Sequence, residues 1–139
     1  MNIILSIHPK WAEKIYSREK TIEWRQNMPH RMDAYKLRDG NPNFKVYLYE
    51  TAPVRMITGF FCWGGVALFD ARHMHEGFPP ATDGCVNVED LKKYQGENCA
   101  ICGWFIDLPQ KFNEPKSLED FGLERPPQSW QYTEVEALA

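Results

Sequence analysis

Residues 19–26 read EKTIEWRQ, Glu19 to Gln26, and their reading decides the fold. On a helix the two large apolar residues Ile22 and Trp24 would point in different directions. On a strand they share one face while Thr21, Glu23 and Arg25 share the other. The strand reading therefore yields one face to bury and one polar, chemically able face. It predicts that Ile22 and Trp24 enter the core of a barrel and that Glu23 and Arg25 line a cleft, with Glu23→Gln leaving folding nearly intact while weakening ligand binding or activity. Lys20 has the opposite parity to Glu23 and stands at the strand's entrance.

The same alternation extends on both sides. NIILSI is a short apolar run suited to a buried strand, and HPKWAEKIYS places Pro9 where a first helical turn tolerates it. FKVYLYET reads as a further strand. VRMITGFFCWGGVALF reads as one long strand or a bent pair, with Gly64 and Gly65 at the bend. NVEDLKKYQG has a capping Asn87 and a terminating Gly96, so it reads as a short helix. NCAICGWFIDLPQKF is another strand, followed by the brief helical turn SLEDFG and the stretch RPPQSWQYTEVEALA. Segments 27–43 and 70–86 lack periodicity and read as irregular. Many strands with few helices predict an α+β fold built on a small curved sheet.

The totals limit the function. A chain of 139 residues with 43% hydrophobic residues is sized for one domain, 1–139, with its own core. A net charge of -3 argues against coating long stretches of nucleic acid and leaves room for a ligand held in one local cleft. There is no run of apolar residues long enough for a membrane span and no signal-peptide pattern at the start, which predicts a cytoplasmic protein that makes no membrane contact. Cys62, Cys85, Cys99 and Cys102 read as reduced thiols. Although Cys99 and Cys102 form a CxxC, the pair sits in a strand-like run where that spacing sends the thiols to opposite faces, so no metal is expected. His8 precedes Pro9 at a helix entrance and reads as a cap for backbone amides. Trp130 reads as a packing residue.

The stretches ILSIHPKWAEKIYSREKTIEWR, VYLYETAPVRMITGFF, LKKY and RPPQSWQY, in that order, resemble the ASCH domain family of the PUA-like superfamily. The resemblance carries a Lys-x-x-Glu-x-Arg strand, a Tyr-x-Thr-x-Pro-Val turn and a terminal Pro-Pro-Gln-Ser segment. It implies a PUA-like mixed β pseudobarrel with flanking short helices, and binding of RNA or a modified nucleoside or nucleotide. The expected ligand contacts are Glu23, Arg25, Thr51, Gln128 and Ser129. Glu23 would accept from an exocyclic amine, and Arg25 would offer a fork for phosphate or a base edge. No cofactor is implied.

One branch that the chain resembles hydrolyses N4-acetylcytidine with a Lys, a Thr three residues later and a Glu farther along. Lys20 matches that Lys, but Glu23 stands where the Thr belongs. If the protein is an enzyme, an amidohydrolase or a ribonuclease, its catalytic candidates are Lys20, Thr21 and Glu23. A third reading is a protein-interaction or regulatory module, with the Arg-, His- and Met-bearing 27–43 segment as its contact surface.

Overall fold

The computed structural model describes residues 1–30, 38–77 and 83–137. Six strands form one sheet: β1 (Asn2–Ile7), β2 (Ile22–Arg25), β3 (Asn41–Glu50), β4 (Met56–Phe69), β5 (Ile101–Lys116) and β6 (Trp130–Thr133). Their spatial order is β2-β5-β4-β3-β1-β6. The β1–β3 pair is parallel and the other four are antiparallel, so the sheet is mixed. Among the described residues two complete helices flank it, α1 (Pro9–Tyr16) and α2 (Val88–Gln95). This is the expected α+β pseudobarrel.

The long strands curl because their pairing slips. The β4–β5 ladder shifts register between Ile57 and Gly59, between Phe60 and Cys62, and between Trp63 and Val66. Each irregularity bends and twists the sheet locally. The last of them coincides with Gly64 and Gly65, and Gly65 has φ +111°, where a side chain would collide with the Arg38 carbonyl oxygen. The GG pair therefore bends one continuous strand. Two other boundaries differ from expectation. Asn41–Asn43 already belong to β3, and Cys99 lies outside β5, which starts only at Ile101.

The curl leaves the outermost strands β2 and β6 facing each other without a shared ladder. Side chains close that seam. Arg25 Nη1 donates to Ser129 Oγ at 2.9 Å, and the Trp130 indole donates to Asn27 Oδ1 at 3.0 Å, while the Trp104 indole of β5, on the β2 side, donates to the Asn27 carbonyl at 3.1 Å. The Tyr132 hydroxyl accepts from the His30 backbone N–H at 2.8 Å. Trp130 thus packs, as expected, with its ring 5.9 Å from that of Trp104.

Three apolar clusters divide the interior. The main one lies inside the curl, where Ile3, Leu5, Phe44, Phe61, Trp63 and Trp104 pack beneath Ala12 and Ile15 of α1. A second, around Tyr47, Phe60 and Phe112, is covered by Phe121 and the chain near Val135. The third lies under α2. It contains Ile22 and Trp24 together with Ala71, Met74, Val88, Leu91 and Ile101. The parity of β2 is as predicted, but its apolar face does not enter the barrel core.

The register gives the reason. Glu23 pairs with Trp104 and Arg25 with Cys102, and paired residues share a face, so the polar side chains of β2 point toward the main core. Ile22 and Trp24 pair with Phe105 and Gly103 and point outward to α2, whose Val88 and Leu91 cover them. Trp24 fits because two glycines hug its ring. A side chain at Gly84 would collide with the indole Nε1, and one at Gly103 would come within 3.1 Å of Cζ3.

Trp24→Ala should lower the unfolding free energy in urea by about 3–5 kcal/mol, as for other buried aromatic truncations. Gly84→Ala should also destabilise the native chain, and most of that loss should vanish in the Trp24→Ala background. Equal losses in both backgrounds would show that Gly84 does not pack on Trp24.

Candidate functional site

Where the mouth of the curl meets α1 and α2, a cavity of about 510 Å³ opens. Its floor is β2: Glu23, Trp24 and Arg25 line it, together with Lys20 from the strand's entrance. β1 brings Ser6 and Ile7, α1 and its cap bring Trp11 and His8, and α2 brings Asp90, Leu91 and Tyr94. Thr51 follows β3, and Gln128 precedes β6.

At the floor, one carboxylate is shared by two cations. Glu23 Oε2 accepts from Arg25 Nη2 at 2.8 Å and from Arg25 Nε at 3.2 Å, and Glu23 Oε1 is 3.5 Å from Lys20 Nζ. Glu23 and Lys20 are only 6% and 2% exposed. Arg25 also donates to the Ser6 carbonyl at 3.3 Å, so its guanidinium ties β2 to β1 as well as to Ser129. Because the pair is buried, removing one partner leaves a desolvated charge and costs several kcal/mol. Glu23→Gln should therefore destabilise the fold, where the strand reading alone expects folding nearly intact.

Lys20 curls back on its own strand. Its Nζ donates to the carbonyls of Ile22 and Gly84, both at 2.7 Å. Burial lowers its pKa, opposed by the Glu23 charge. The Gly84 bond also docks the segment carrying Val86 against the entrance of β2. Two more contacts zip the same segments together: the Thr21 backbone N–H donates to Asp83 O at 2.8 Å, and the Cys85 thiol to Glu19 O at 3.6 Å. Thr21 itself is exposed and does not line the cavity.

The lining also carries a pair that sequence spacing does not reveal. Thr51 Oγ1 and His8 Nδ1 lie 3.4 Å apart, positioned by the Thr51 backbone N–H, which donates to Ile7 O at 2.9 Å. His8 stands at the N-cap of α1 but makes no side-chain capping bond, so its imidazole faces Thr51 and the cavity instead. On the α2 wall, burial raises the pKa of the Tyr94 hydroxyl against the pull of Arg25 and the Gln26 backbone N–H. The Tyr94 carbonyl accepts from the Gln26 side chain at 2.8 Å, which pins α2 to the end of β2.

Of the residues expected from the sequence, Lys20, Glu23, Arg25, Thr51 and Gln128 share this cavity. Ser129 reaches it only through its bond to Arg25. Trp11, His8, Asp90 and Tyr94 were not among the expected contacts. Trp11 and Tyr94 are far apart in the chain, and only the tertiary packing that brings both α1 and α2 to the cavity relates them. Arg31, a further basic residue of the 27–43 segment, lies in 31–37, outside the described residues, as do 78–82 of the second irregular segment. Among the described residues, no group of three or more His, Cys, Asp or Glu is placed to hold a metal ion, and no helix is long and apolar enough to cross a membrane.

No family sequence model and no curated protein sequence matches the chain. Solved structures do. The ASCH structure from Zymomonas mobilis superposes with a TM-score of 0.73 at 18% identity, covering 94% of this chain and 86% of that one. A point mutant of the same protein gives 0.72 at 18% identity, covering 94% and 88%. A Pyrococcus furiosus protein solved by solution NMR gives 0.50 at 14% identity, covering 81% of this chain and all of that one. The first likeness extends over nearly the whole chain, and the chain has the fold of an ASCH domain.

Proposed function

We propose that this cavity binds RNA or a modified nucleotide, one nucleotide unit at a time, in a cytoplasmic protein. A single observation carries the reading: a cavity floored by the buried Lys20–Glu23–Arg25 network has aromatic side chains, Trp11 and Tyr94, on its walls. Aromatic walls suit stacking on a flat base, and stacking is worth about 1–3 kcal/mol per base. The carboxylate Oε1 of Glu23, Gln128 and Asp90 supply edge contacts for hydrogen-bonding groups on the base.

The reading is tested by titrating nucleosides, nucleotides and short single-stranded RNAs against the protein. Tyr94→Ala and Gln128→Ala, which leave the charged floor intact, should each weaken binding about three- to tenfold with little change in the melting curve. Binding indifferent to both substitutions, or no binding below millimolar concentrations, overturns it.

A second reading, hydrolysis of a nucleic-acid component, draws on the lowered pKa of Lys20, because a buried amine nearer neutrality is a better general base. A predicted consequence is independent of activity. With its folded pKa below its unfolded value, Lys20 holds fewer protons folded than unfolded between the two. Its contribution therefore makes stability rise with pH through that window, up to the ordinary lysine range. Lys20→Met should flatten that alkaline rise, and NMR of reductively methylated lysines should show one amine titrating below the rest. An unchanged slope with all lysines titrating together removes the base role.

A further inference from the structure

The charged groups of the cavity are not arranged to receive a phosphate at its floor. A guanidinium has five N–H groups and holds phosphate best with two parallel ones. In Arg25, Nε and Nη2 serve Glu23, Nη2 also reaches Ser6 O, and one Nη1 N–H serves Ser129. One N–H is left over, too few for a fork. Lys20 directs its Nζ at two carbonyls and Glu23. The lining side chains without a partner among the described residues include Asp90 and Gln128, a carboxylate and an amide. An anion brought to the floor would meet Glu23 and Asp90 while the cations remained engaged.

Lys10 is different. It does not line the cavity, but it is exposed and its Nζ lies 4.5 Å from the centroid of the Trp11 ring, which does. Lys10 has no carboxylate partner among the described residues. Its ammonium is a point charge of the kind that binds phosphate without a fixed fork.

Resting on the proposed nucleotide reading, we infer that the ligand enters ring first: an uncharged, hydrogen-bonding heterocycle reaches Glu23 at the floor, and its phosphate stays outside against Lys10. The ligand class is then a nucleoside whose 5′-phosphate, or whose place in a single strand, adds affinity only at the mouth.

Calorimetry with the four ribonucleosides, their 5′-monophosphates and inorganic phosphate, at two salt concentrations, tests this. At least one nucleoside should bind with little salt dependence. Its monophosphate should bind roughly three- to fivefold tighter, the worth of an exposed charge contact, and that gain should shrink with salt. Lys10→Ala should abolish the gain, measured as the ratio of monophosphate to nucleoside affinity in the same variant. Lys116→Ala, which removes one charge near Phe112 on the other side of the sheet, should preserve the gain. Inorganic phosphate should not displace the nucleoside. A monophosphate no tighter than its nucleoside, a gain that survives Lys10→Ala, or displacement by phosphate overturns the orientation and leaves nucleotide binding standing. If neither nucleosides nor monophosphates bind while short single-stranded RNA does, the orientation falls and the nucleotide reading stands; if none of the three binds, both fall.

Discussion

The carboxylate of Glu23 is the point on which the arrangement turns. It lies almost wholly out of solvent between Lys20 and Arg25, and each cation also reaches a different part of the chain. Lys20 holds the Gly84 carbonyl and with it the segment that carries Val86. Arg25 holds Ser6 and Ser129, which belong to the other side of the seam. Without the carboxylate, two cations would face each other in a nearly dry site, and their repulsion would work against every one of those contacts. The same group that makes the floor polar thus keeps the floor in one place.

This ties the cavity to the way the sheet closes. A sheet of six strands that curls but does not pair its edges exposes two rows of backbone groups, a liability that proteins cover or bridge. Here β2 and β6 are both short, and side chains from Arg25 and Trp130 bridge the gap through Ser129 and Asn27, with Asn27 held on the β2 side by Trp104 of β5. The cavity opens where the ladder is missing. A fully hydrogen-bonded barrel would have filled that gap with backbone, so the open seam gives a ligand access to Glu23. The helices complete the site from outside: α1 and its cap bring Trp11 and His8, and α2 brings Tyr94 and Asp90.

Much of the sheet was legible in the letters because two-residue alternation is a local property. The strand β2 follows from it, while other equally local signals gave the rest: a short apolar run for β1, the capping Asn87 and terminating Gly96 for α2, and the Gly64–Gly65 pair for the bend in β4. Parity separated Glu23 and Arg25 from Ile22 and Trp24, but parity is silent on which face meets the larger core. That depended on α2, some sixty residues away, covering Trp24, and on Gly84 and Gly103 making room for the indole. Lys20 misled for a related reason. An ideal strand turns it away from Glu23, but it precedes the strand proper and a long flexible stem lets its Nζ return to the Ile22 carbonyl. His8 likewise looked like a helix cap, and its pairing with Thr51 depends on the parallel β1–β3 register, which no local pattern discloses.

The central claim is that Glu23 and Lys20 form one interacting unit rather than two independently buried groups. A double-mutant cycle of Glu23→Gln and Lys20→Met, read by urea unfolding, measures it most directly. The account predicts that each single change destabilises the chain and that the double variant is more stable than the sum of the two losses implies, by about 1–3 kcal/mol, the range for contacting residues. Additive losses, within about 0.5 kcal/mol, would contradict it.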